Sequence, residues 1–185
     1  MTLGSGKMTI SNGKAGQYFM ISHHILSQAT QKASELPLLK NSIRNGEGSV
    51  VAFIGEHIAC LALDGLIKNT YDYDLIYGIK NDFYKWILNE NDVSRRTVDV
   101  KTKERTVPPR PYYNCTVADF NTSQKCDEYA FVSVHKNLRD SWYLGKISKN
   151  DFYAKASFSK KGDPETSRFK FRADCYNIKI SELEL

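Results

Sequence analysis

The sequence predicts an α/β domain with a central mixed sheet of four to five strands flanked by helices. Three observations carry that expectation. Residues 49–63 place Val51, Ile54, Ile58 and Leu61 at the spacing of one helical face. Short runs rich in β-branched and aromatic residues follow, at 73–79, 97–102, 129–135 and 141–147. The run 129–135 is apolar on both faces, as a central strand covered from both sides has to be.

Taken in order, residues 1–46 read as a flexible segment and a helical extension, and residues 47–185 as the folded domain. Residues 1–18 carry Gly4, Gly6, Gly13 and Gly16 and few large apolar groups, which predicts a flexible segment. Ile25, Leu26, Ala29 and Ala33 then set a helical stripe over 22–34, with Ser22 placed to cap it. Pro37 breaks that helix, and Leu38, Leu39 and Ile43 suggest a second short one. The helix 49–63 is apolar nearly all round, which predicts burial. Glu56 is its only acidic residue. A buried carboxylate demands an ion-pair partner or a bound cation; the alternative is that Glu56 and His57 form a narrow exposed stripe.

Residues 66–67 and 73–79 read as two strands joined by a tight turn, 81–88 as a short helix and 89–92 as a loop. The strand 97–102 runs into a basic, proline-rich stretch, 103–111, expected to be irregular. Another element starts near 117–120. After the strand 141–147, Ser148 caps a helix over 149–155. A charged Gly/Pro loop spans 159–167, and 169–180 is extended, with Phe169 and Phe171 on one face and Lys170 and Arg172 on the other.

A chain of 185 residues builds a core without staples. It has no run of about 18 apolar residues, and residues 1–18 lack the apolar centre of a signal peptide. Both points predict a cytoplasmic, intracellular protein without a membrane partner. Cys60, Cys115, Cys126 and Cys175 form no Cys-x-x-Cys pair, so free and mostly buried thiols are expected rather than a zinc ribbon. The absence of Gly-x-Ser-x-Gly argues against a serine hydrolase. The absence of Gly-x-x-x-x-Gly-Lys and Gly-x-Gly-x-x-Gly argues against a nucleotide-binding enzyme. His23, His24, His57 and His135 have no local ligand pattern and read as structural.

The chemistry gathers in 71–103. Asp74 lies at the start of one strand, after Tyr73. Asp99 and Lys101 lie two apart in the next, so both project to one face, with Val98, Val100 and Thr102 on the other. Two carboxylates and an ammonium on neighbouring strands suit a divalent cation and an attacking water. Asp72, on the same face as Asp74, is the alternative ligand.

The order of helix with Gly55-Glu56, strand with Asp74, and strand with Asp99-x-Lys101 resembles the PD-(D/E)XK nuclease superfamily, with its restriction-endonuclease-like fold. Residues 144–152 are similar to the strand–helix ending of small phage-type and resolvase-like members. Tyr73 stands where the family's proline would be, and 80–96 lengthens the connection between the two strands. The resemblance implies a metal-dependent nuclease hydrolysing DNA phosphodiester bonds, as an endonuclease or a Holliday-junction-resolvase-like enzyme. It implies Glu56, Asp74, Asp99 and Lys101 as catalytic residues. One or two Mg²⁺ or Mn²⁺ ions would be held by Glu56, Asp74, Asp99 and the carbonyl of Val100.

The net charge of +5 is concentrated: residues 95–110 hold six basic and two acidic side chains, and 136–172 hold ten basic and four acidic. Basic segments of this kind suit a polyanion. Arg95, Arg96, Thr102, Lys103, Arg105 and Arg110 are the expected DNA contacts, with Lys160, Lys161, Arg168, Lys170 and Arg172 as a second wall. Cutting both strands of a duplex would call for a homodimer. The alternative function is a non-catalytic DNA-binding or assembly module on the same fold.

Overall fold

The computed structural model describes residues 16–35, 49–68, 70–78, 95–166 and 169–185. It is a mixed α/β structure. Its elements are β1 (Gln17–Met20), α1 (His23–Glu35), α2 (Ser49–Leu63), β2 (Leu66–Ile67), β3 (Leu75–Gly78), β4 (Arg95–Arg105), β5 (Asn114–Ala118), β6 (Glu128–His135), β7 (Asp140–Ser148), α3 (Lys149–Lys155), β8 (Ser157–Ser159) and β9 (Cys175–Lys179). Short 3-10 turns follow β5 and β9.

Six strands form one sheet in the order β1-β7-β6-β4-β3-β2, and β5-β9-β8 form a second. In the larger sheet only β4 and β6 run parallel; the other neighbours are antiparallel. The sheet is thus wider than the four to five strands expected, and the three-stranded sheet was not foreseen. Residues 114–118 and 175–179 are too short and too mixed in polarity to declare a second sheet before their partners are known.

β6 shows why the order arises. Ala130, Val132 and Val134 pack toward α1 and α2, against Ile54, Ile58 and Ala59. Tyr129 and Phe131, on the other face, pack with Phe152 of α3 and with Val117 and Ile178 of the second sheet. A strand covered on both sides needs apolar residues on both sides. The C-terminus closes this second layer: the backbone of Glu184 exchanges hydrogen bonds with that of Lys146, at 2.7 and 2.9 Å. Gly145, with φ of +125°, lies where any side chain would strike the carbonyl of Glu184.

Residues 17–35, assigned from sequence to the N-terminal extension, contribute to the same sheet and core. β1 pairs with β7, and Ile21 and Ala29 join the α2 core. Gln17 and Tyr18 are strand residues rather than flexible ones, because a partner edge supplies the hydrogen bonds that local sequence cannot. Ser22 caps α1, its Oγ accepting from the Ile25 N–H at 3.3 Å. α2 and α3 occupy the expected spans, and Ser148 Oγ accepts from the Asp151 N–H at 3.0 Å. The strand expected over 97–102 extends to Arg105, so the irregular stretch starts three residues later than expected. Parallel pairing through Arg105↔His135 overrides the charged sequence. β9 starts only at Cys175, and 169–174 is irregular apart from a bridge between Pro164 and Lys170. The expected short helices near 38–43 and 81–88, the loop 89–92 and the expected flexibility of 1–15 lie outside the described residues.

Candidate active site

Asp74 and Asp99 are brought side by side by the β3–β4 ladder. The ladder ends at the Leu75–Val98 pair, and the Asp74 N–H donates to the Val98 carbonyl at 3.0 Å, which sets Asp74 next to the start of the Asp99–Lys101 run of β4. Past this point β3 ends and β4 continues. The next β4 donor on that side, the Val100 N–H, is taken by the Asp74 carboxylate, with Oδ2 at 2.7 Å. The carbonyl of a strand residue points the same way as its N–H, which directs the Val100 carbonyl toward the same side.

Asp99 is 3% exposed. Its Oδ2 lies 2.7 Å from Lys101 Nζ, yet receives no hydrogen bond of acceptable geometry among the described residues. Lys101 Nζ donates to Gln124 Oε1 at 3.1 Å. Glu56 reaches the site from α2, which crosses β4 so closely that a methyl on Gly55 would overlap the Thr102 side chain. Glu56 is 8% exposed, and Lys32 Nζ of α1 donates to its Oε2 at 3.0 Å. The same ammonium stands 4.1 Å over the Phe53 ring.

Electrostatics tie these groups together. Burial pushes the Asp74 carboxyl up to about 8, with the charges of Asp99 and Glu56 adding to the rise; the Val100 N–H and Lys101 oppose it. Burial also raises Glu56, against the lowering effect of Lys32, and Asp99 adds to the rise. Three carboxylates thus sense one another in a poorly hydrated place. The donors are hard oxygens, and the buried Asp99 Oδ2 has an ion pair but no hydrogen bond among the described residues, so the set suits a divalent cation. As they stand, no group of three or more His, Cys, Asp or Glu side chains among the described residues is drawn together to hold an ion. The ammonium groups of Lys32 and Lys101 lie on two of the carboxylates instead.

Asp72 is engaged elsewhere: its Oδ1 accepts from the Lys125 N–H at 3.1 Å. Of the expected DNA contacts, Arg96 and Arg110 are exposed and Arg95 is half-buried. Thr102 faces α2, and Lys103 pairs with Glu165 at 2.7 Å. Arg105 folds inward, donating to Ser133 Oγ at 2.9 Å and to the Asn114 carbonyl at 3.3 Å, over the Tyr113 ring. Thr102 and Arg105 therefore serve packing in this arrangement, because strand alternation and the second sheet turn both inward. His135 braces turns, contacting the Thr106 carbonyl and accepting from the Asn137 N–H. All four cysteines are free; Cys115 and Cys175 are buried and Cys60 and Cys126 half-buried.

Lys32, Gln124 and Lys149 went unseen in the sequence. Lys32 had a signal: it falls one turn from Ala29, next to the apolar stripe of α1, where a lysine needs an acidic partner. Gln124 and Lys149 had none, since their contacts cross between loops and elements. No protein-family model matches the chain, and no curated protein matches its sequence significantly.

Proposed function

We propose that the chain is a metal-dependent nuclease acting on DNA phosphodiester bonds, on a core of the restriction-endonuclease-like type. The observation that carries this reading is the Asp74 carboxyl raised by desolvation and by the charges of Asp99 and Glu56, with the Lys101 ammonium 2.7 Å from the buried Asp99 Oδ2. Asp74, Asp99 and the Val100 carbonyl would hold a Mg²⁺ or Mn²⁺ ion, and Glu56 would hold it through water or hold a second. When bound, such an ion makes water more acidic and offsets the charge growing on the phosphate.

The side chains have separate tasks. Lys101, paired with Asp99 at 2.7 Å, would orient the attacking water or donate to a phosphate oxygen. The attack forms a P–O bond to water oxygen, breaks the P–O bond to the leaving sugar oxygen, and leaves a phosphate monoester and an alcohol. Asp74, held by the Val100 N–H, fixes the direction of the carboxylate facing the cation. Exposed Arg96, Arg110, Lys160, Lys161, Lys170 and Arg172 supply phosphate contacts that do not depend on sequence.

The test is cleavage of plasmid and branched DNA with Mg²⁺ or Mn²⁺. Cutting is expected from the wild type and lost by roughly 10²-fold or more in Asp99→Ala and Lys101→Ala, with melting temperatures within a few degrees. Equal cutting by both variants and the wild type ends the nuclease reading. A second reading is favoured by the two lysine ion pairs: a DNA-binding module whose carboxylates are neutralised by Lys32 and Lys101 and need no metal. That module would bind DNA while showing no Mn²⁺-dependent rise in melting temperature.

A further inference from the structure

The loop between β5 and β6 touches both halves of the candidate site, and its link is one side chain. Gln124 Oε1 accepts from Lys101 Nζ at 3.1 Å, and Gln124 Nε2 donates to the Tyr71 carbonyl at 3.1 Å. With both ends engaged, the amide has one orientation: its oxygen must face the ammonium and its nitrogen the carbonyl. Tyr71 begins the turn that delivers Asp74. A single residue thus joins the turn carrying a carboxylate to the strand carrying the lysine.

The loop itself is pinned. Asp72 Oδ1 accepts from the Lys125 N–H at 3.1 Å, a second stitch to the same turn. Lys149, at the start of α3, donates its Nζ to the carbonyl of Thr122 at 2.9 Å and also to the carbonyl of Gln124 itself. Asp127 Oδ2 accepts from the Thr97 N–H at 2.8 Å and from the Thr97 hydroxyl at 2.9 Å, fastening the far end of the loop to β4. A half-buried glutamine held in this way presents its oxygen at a fixed point, and together with Asp99 Oδ2, 2.7 Å from the same ammonium, it fixes the end of the flexible lysine stem.

We propose that Gln124 is a positioning residue for Lys101: it holds the ammonium over the site once Asp99 turns to a cation, and keeps that ammonium in register with the Asp74 turn. The catalytic consequence rests on the nuclease reading; the placement of Lys101 does not. Loss of a supporting contact of this kind costs about 10- to 100-fold in rate.

Three variants separate the roles. Gln124→Met keeps length and removes both hydrogen bonds. Gln124→Glu keeps an acceptor for Lys101 and loses the donor to Tyr71. Lys149→Met loosens the loop from behind. The first measurement, on metal-free protein, is acylation of Lys101 by a water-soluble amine reagent, read by peptide mass spectrometry. Labelling is expected to rise several-fold in Gln124→Met and to stay near wild type in Gln124→Glu. The second is steady-state cleavage with Mn²⁺: kcat falls about 10-fold or more in Gln124→Met with KM little changed, Gln124→Glu recovers most of it, and Lys149→Met falls between. Wild-type labelling and wild-type kcat in a folded Gln124→Met overturn the proposal. If the wild type cuts no DNA, the nuclease reading fails, and the labelling pattern alone upholds or overturns the placement of Lys101.

Discussion

On the nuclease reading, a proton and a cation would compete for the Asp74 carboxylate. Its affinity for the proton lies far above the ordinary carboxylate value of 3.8, at about 8, because it is buried beside Asp99 and Glu56. The raised value favours the protonated fold. Its contribution to stability is complete below about pH 4 and is lost as pH rises through about 8. Metal-free protein is therefore expected to lose melting temperature between about pH 4 and about pH 8. Asp74→Asn, which keeps an acceptor for the Val100 N–H, is expected to flatten that slope and to gain about 2 kcal/mol or more at the alkaline end. An unchanged slope in that variant would place the pH dependence elsewhere. Mn²⁺ binding to the wild type at pH 7 is expected to release about one proton, read by calorimetry in buffers of different ionisation enthalpy. Asp74→Asn would abolish that release.

Among the elements, α2 and β4 decide where the acids meet. Gly55 lets the helix approach Thr102 until no methyl fits between them, and Glu56 follows directly in the chain. Gly55→Ala is expected to cost about 1–3 kcal/mol in denaturant unfolding through overpacking, despite the higher helix propensity of alanine. Adding Thr102→Ala should recover part of the loss, since the two changes act on one contact. If Gly55→Ala stabilises the protein instead, the helix is less tightly seated than the geometry states. The segment between β8 and β9 is fastened to β4 as well, through Glu165 and Lys103. That pair is partly exposed and contributes little stability by itself; its consequence is to tie to β4 a segment that carries exposed Lys160, Lys161, Lys170 and Arg172.

Across the whole molecule, two cores share one sheet, with helices on one face and the small sheet and α3 on the other. No helix among the described residues is long and apolar enough to cross a membrane. Replacing Lys160, Lys161, Lys170 and Arg172 together by Gln should weaken DNA binding at low salt. It should also reduce the slope of log K against log salt by up to about 3.6, if all four contact phosphates of duplex DNA. The metal-dependent melting shift should remain. A slope equal to the wild type's would remove this surface from the DNA contact.

Helices α2 and α3 and strands β4, β6 and β7 were legible in the chain because their signals are local: periodicity at 49–63, a cap at Ser148, and runs of β-branched or aromatic residues. Glu56, Asp74, Asp99 and Lys101 could be named for the same reason, as charged residues standing where an apolar neighbour was due. What brings them within electrostatic reach is nonlocal: the β3–β4 register, the close seat of Gly55 on Thr102, and the end of β3 that leaves the Val100 N–H to Asp74. β1, the second sheet, the inward turn of Arg105 and the contacts of Lys32 and Gln124 depend on partners far away in sequence. Sequence by itself determined which residues had chemistry to offer. Tertiary structure decided which could act together, because hydrogen-bond partners and buried charges are settled only when distant segments meet.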